Sequence, residues 1–126
     1  SDDNPIFYIQ YASARINSIL SKNKEGNGSL DGIDLSLLKE EQEIRLIKKM
    51  LNFSDVVLES SNTMSPHKIA FYLQELAKIF HSYYKNTKVL VDDLELTKAR
   101  IVLLRSLKII FTNGLNLLGV SSPERM

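Results

Sequence analysis

Apolar positions along this chain recur three or four residues apart, the period of a helix rather than of a strand. The longest such stretch is residues 94–120, where Ile101, Leu103, Leu104, Leu107, Ile110, Phe111, Leu115 and Leu118, among others, cover most of a helix circumference. Its polar positions, Lys98, Arg105, Lys108, Thr112 and Asn116, fall on one narrow stripe. A helix so widely apolar is either surrounded by neighbours or crosses a bilayer. Arg100, Arg105 and Lys108 interrupt every run that approaches the roughly 20 apolar residues of a membrane span, so a central core helix with a thin basic edge is expected. Gly114 is expected to let a neighbour pack closely, and Gly119 to sit at the C-cap.

The remaining chain reads in the same way. Asn4-Pro5 predicts a helix start, with Asn as N-cap and Pro at the first helical position, for a helix over residues 5–22. Ile9, Ala12, Ile16, Ile19 and Leu20 form its core stripe, and Tyr8, Tyr11, Arg15, Ser18 and Lys22 run beside it. That second stripe is either a half-buried rim, where each tyrosine keeps its hydroxyl wet, or a surface that stacks nucleobases and holds a backbone. Residues 23–34, rich in Gly, Asn and Asp, predict an exposed, mobile loop. Its Gly26 and Gly28 are no phosphate loop, since no strand precedes them and no Lys-Ser/Thr follows. Asp34 is expected to cap a helix over residues 35–52 with Leu37, Leu38, Ile44, Ile47 and Leu51 inward. Glu40, Glu41, Glu43, Arg45 and Lys48 read as its solvated side, with Glu41 and Arg45 at favourable spacing. Ser54 is expected to cap a short helix over 55–62, and Ser65-Pro66 to open one reaching Tyr84, with Ile69, Leu73, Leu76, Ala77, Phe80 and Tyr84 inward. Residues 88–91 read as an extended connection, and Asp92 or Asp93 as the cap of the last helix. The sum is one all-α domain, a bundle of about five helices.

Composition removes several chemistries. At 126 residues the chain can bury a real core. Without cysteine it has neither disulfides nor a thiolate metal site. His67 and His81 lie too far apart on one helix to share a metal, and both read as structural or hydrogen-bonding residues. A net charge of +1 does not point to nucleic acid. Its distribution says more: from Lys98 onward there are five basic residues against one acid, whereas the preceding residues carry eleven against fourteen, a weak sign of a basic face. No signal peptide and no transmembrane segment stand out, so no membrane partner is expected and the cytosol is the expected location. No nucleophile–base pair, metal cluster or dinucleotide fingerprint is present. A free-standing enzyme is therefore disfavoured, which leaves a helical binding module.

Three stretches together narrow that class. Residues 4–16 (NPIFYIQYASARI), 66–90 (PHKIAFYLQELAKIFHSYYKNTKVL) and 99–126 (ARIVLLRSLKIIFTNGLNLLGVSSPERM) resemble the C-terminal anticodon-binding domain of bacterial-type arginyl-tRNA synthetases. The YIQYASAR run and the final Pro-Glu-Arg-Met carry most of the likeness. Two departures are visible: Ser13 stands where family members often have histidine, and the Asp-Ala-Leu-Arg tetrapeptide that names the broader family is not literally present. The resemblance implies a fragment of a class I synthetase, an arginine–tRNA ligase whose catalytic domain uses ATP. The HIGH-like and KMSK-like signatures of that domain do not occur here, so neither a catalytic residue nor a cofactor is expected in this chain.

By the same resemblance, Tyr8, Tyr11 and Arg15 meet the anticodon stem-loop of an arginine tRNA, with Arg125 and Met126 nearby, and the catalytic domain is the second partner. Lys22, Lys98, Arg105 and Lys108 are candidates for phosphate contact, or else a solvated edge. Arginine codons are CGN and AGR, so every arginine anticodon has cytosine in the middle. A splayed loop base can be stacked on a ring and read along its Watson–Crick edge, and a tyrosine–arginine stripe offers rings and donors for that. The competing reading is a helical protein-interaction module with no RNA role. Shortening the 23–34 loop should leave the melting temperature nearly unchanged, because beyond Leu30 and Ile33 it offers little apolar surface. A collapse of the fold on shortening would show that the loop packs.

Overall fold

The computed structural model describes residues 4–23, 32–120, 122 and 126. Among these are five α-helices and one 3-10 turn: α1 (Pro5–Lys22), a 3-10 turn (Leu35–Leu37), α2 (Glu41–Leu51), α3 (Phe53–Thr63), α4 (His67–Asn86) and α5 (Leu94–Leu117). Residues 24–31, most of the predicted loop, lie outside the described residues, as does Arg125.

Local signals account for most boundaries. Asn4 caps α1, its Oδ1 accepting from the amides of Ile6 (3.0 Å) and Phe7 (3.2 Å). Asp93 caps α5, its Oδ1 accepting from the Leu96 amide at 3.2 Å. Gly119, with φ +75°, closes α5 in a Schellman arrangement. Its amide donates to the Asn116 carbonyl, and that of Val120 to the Leu115 carbonyl, each at 2.9 Å.

The long helix expected over 35–52 is broken. Asp34 caps only the 3-10 turn, accepting from the Ser36 amide at 3.0 Å. The Ser36 hydroxyl also donates to it, and this bond, ahead of the amide, holds its carboxyl below the ordinary value. A second start signal then takes over: the Glu43 carboxylate accepts from the Glu40 amide at 3.1 Å and begins α2. The helix predicted over 55–62 is extended at its start, since Phe53 is already helical and Asn52, not Ser54, precedes it.

The hub of the packing is α4, which touches α1, α2, α3 and α5. Its Leu73, Leu76, Ala77 and Phe80 are fully buried. α5 is less enclosed than its composition suggests: Leu103, Leu104, Leu107, Phe111 and Leu115 are buried, but Ile109 and Leu117 are exposed. A Cβ added at Gly114 would stand 2.6 Å from a methyl of Leu73, so the small residue sets how closely α4 and α5 approach. No helix among the described residues is long and apolar enough to cross a membrane.

At the centre lies a polar knot where sequence reading placed a solvated face. Glu43 is completely buried, and Arg100 nearly so. The Arg100 Nε donates to Glu43 Oε2 at 2.7 Å, and the Tyr83 hydroxyl donates to the same oxygen at 2.5 Å. Arg100 Nη1 reaches the Lys88 carbonyl at 3.2 Å. Burial first, and then the bond to Glu43, push the Tyr83 phenol far above its usual titration range. Three turns earlier on α4, burial raises the Tyr72 phenol to about 12, and its hydroxyl donates to the Lys49 carbonyl.

Removing one member of a buried ion pair strands the other charge. Arg100→Leu should therefore lower stability by about 3–5 kcal/mol in urea unfolding. The double variant Glu43→Met/Arg100→Met should recover much of that loss. A single Arg100→Leu variant as stable as the parent would show that the pair holds nothing together.

Candidate functional site

The second stripe of α1 faces α4, and the seam between the two helices is where aromatic and cationic groups meet. Arg15 is half-buried there. Its guanidinium carbon lies 4.7 Å from the ring centroid of Tyr11 and 4.1 Å from that of Tyr84, so the charge is held between two π faces. Arg15 Nη2 donates to the Tyr11 hydroxyl at 3.1 Å, and Nη1 lies 3.0 Å from His81 Nδ1. The His81 ring in turn lies against Tyr8, with centroids 4.7 Å apart, and against Tyr11 at 5.6 Å. Phe7 stacks on Tyr11 at 6.4 Å and 23° between planes.

The spacing explains the grouping. Tyr8, Tyr11 and Arg15 follow one another at three and four residues on α1, and His81 and Tyr84 at three on α4, so each set shares a face. Two concavities open here. A pocket of about 240 Å³ is lined by Phe7, Tyr8, Tyr11, Arg15 and His81. An adjoining cleft of about 660 Å³ is lined by Tyr11, Arg15, Ser18, Lys22, Tyr84 and Met126, among others. Both are open to solvent and hold ring faces and cationic donors side by side. Such a surface suits a planar, hydrogen-bonding ligand carrying negative charge.

The expected residues thus divide. Tyr8, Tyr11 and Arg15 come together, and Lys22 and Met126 share the cleft with two of them. Lys98, Arg105 and Lys108 lie on α5 and line neither concavity. Lys98 is paired with Glu95 at 3.6 Å, and Arg100, counted toward a basic face from sequence, is buried on Glu43. The basic edge of α5 is weaker than its count of charges implies.

The sequence does not single out two residues of the site. His81 is hydrogen-bonded, as expected, but its place beside Arg15 is not evident from the sequence, and Tyr84 is expected in the core. In the structure Tyr83 takes the core position and Tyr84 is 41% exposed over Arg15. The signal was present in the His81–Tyr84 spacing, but it acquires meaning only once α4 is known to face α1.

One contact ties the end of the described chain to α1. Ser13, fully buried on α1, has its hydroxyl 2.8 Å from that of Ser122.

The DALR anticodon binding domain family matches residues 9–126. The chain is 49% identical, over all of its length, to an arginine–tRNA ligase of Listeria monocytogenes serotype 4a, of which it covers 23%. It is 46% identical to the arginine–tRNA ligase of Acidithiobacillus ferrooxidans, again over all of its length and covering 22% of that protein. Among solved structures, the Thermus thermophilus arginyl-tRNA synthetase matches 94% of the chain with a TM-score of 0.83 and 36% identity, the chain covering 21% of it. The chain therefore spans less than a quarter of the length of these relatives. With a family match over residues 9–126, the chain belongs to the DALR anticodon-binding domain family.

Proposed function

We propose that this domain grips the anticodon stem-loop of an arginine tRNA, as part of an arginine–tRNA ligase whose catalytic domain joins arginine to the tRNA with ATP. The observation that carries this reading is the Arg15 guanidinium held between the Tyr11 and Tyr84 rings at the mouth of a half-open cleft. A loop base turned out of its stack finds ring faces there for stacking and a cation for its acceptors. Cytosine presents two acceptors and one amino donor on its Watson–Crick edge. Arg15 suits the acceptors, because a guanidinium only donates. Uracil carries a donor at N3 and would face that cation with the wrong polarity, so the match discriminates as well as binds. Lys22, which is exposed, and Met126 line the same cleft; in this reading Lys22 takes a phosphate and Met126 makes an apolar contact with the base.

Binding of the chain to an arginine anticodon hairpin, at one fixed salt concentration, tests the reading. Tyr11→Ala and Tyr8→Ala should each weaken binding by about 1–3 kcal/mol, and Tyr11→Phe by less because the ring remains. Circular dichroism of each variant should stay helical. No binding to any arginine anticodon hairpin would leave a helical protein-interaction module as the better description.

Met126→Ala should lower the affinity ratio of middle cytosine over middle uracil. An unchanged ratio would assign Met126 to packing alone.

A further inference from the structure

His81 lies in the seam, yet nothing in the stripe of α1 calls for it. Its partners select one tautomer of the neutral ring. Arg15 has no acceptor, so at 3.0 Å it is Arg15 Nη1 that donates and His81 Nδ1 that accepts. The proton of the neutral ring then sits on Nε2, which lies 3.5 Å from the Tyr8 carbonyl, itself an acceptor. Both neighbours demand the same tautomer.

The bond also restrains Arg15. One hydrogen of Nη1 goes to His81 and one of Nη2 to the Tyr11 hydroxyl. A planar guanidinium bonded at both terminal nitrogens and lying over two rings is restrained from turning about its own axis. Its orientation decides which N–H groups face a ligand in the adjoining cleft.

We propose that His81 is a positioning residue. Through Nδ1 it fixes the edge of the Arg15 guanidinium presented to a nucleobase, and so contributes to the choice of cytosine over uracil without touching the base. This rests on the RNA-binding reading above, and the experiment separates the two.

Three variants distinguish a hydrogen-bonding role from a packing role. Asparagine places its side-chain oxygen near the position of Nδ1, glutamine reaches toward Nε2 instead, and leucine offers no acceptor. The first readout needs no RNA: the Nη–H resonances of Arg15 in the 126-residue chain. They should be resolved in the parent and in His81→Asn, and averaged by rotation in His81→Gln and His81→Leu. The second is the cytosine-over-uracil affinity ratio at the middle position of the hairpin. It should fall roughly tenfold in His81→Gln and His81→Leu, as expected for losing a bond to a charged group, and return to near the parent value in His81→Asn. Resolved Arg15 resonances in His81→Leu would overturn the proposal even if no hairpin binds, as would equal ratios in the Asn and Gln variants. If every chain fails to bind RNA while the Arg15 resonances follow the expected order, the positioning of Arg15 stands and the RNA-binding reading falls.

Discussion

The structure depends on one buried carboxylate. Glu43 uses its two oxygens for different tasks: Oε1 accepts from the Glu40 amide and starts α2, while Oε2 accepts from Tyr83 on α4 and Arg100 on α5. A charge with no exposed surface is tolerated only when it is paired and its lone pairs are filled. Both conditions are met here, and no buried side-chain polar atom among the described residues lacks a partner. The arrangement joins three helices at one point and so specifies their register. Apolar packing of Leu73 against Gly114 then sets how near α4 and α5 come. With α4 fixed in this way, the side of it bearing His81 and Tyr84 is turned toward α1.

Much of this could be read from the sequence, and the reason it could is local. Asn4 and Asp93 as caps, Gly119 past the end of α5, and the core stripes of α1 and α4 all depend on residues within a turn of one another. What the sequence hid depends on partners far along the chain. The break between the 3-10 turn and α2 was masked because the apolar period runs through it, while two start signals, at Asp34 and at Glu40–Glu43, compete. Glu43 and Arg100 looked like surface charges because their partners are 57 residues apart. Tyr83 and Tyr84 lie about 100° apart on the helical wheel, one on either side of the core stripe, and periodicity does not decide between them. The decision comes from Glu43, which gives the Tyr83 hydroxyl a buried acceptor and leaves Tyr84 facing Arg15.

The candidate site was half legible for the same reason. Tyr8, Tyr11 and Arg15 are one stripe of one helix, visible in any sequence window of eight residues. The other wall belongs to α4, and no window contains both. Each wall is a helix rather than a loop, so the rings and the guanidinium are held by packed backbone. Preorganisation of this kind spares a ligand part of the entropy of ordering side chains on binding. Arg100, by contrast, is neutralised inside the core and adds nothing to the cationic surface.

The hydroxyl pair between Ser13 and Ser122 has a consequence for how this sequence can drift. Ser13 sits between Tyr11 and Arg15 in the chain and has no exposed surface. A bulkier side chain at that position has to displace Ser122, and Ser122 lies four residues before the Met126 that walls the cleft. Positions 13 and 122, although 109 residues apart, are therefore in direct contact. Enlarging either side chain has to be accommodated at the other, which lies at the opposite end of the sequence.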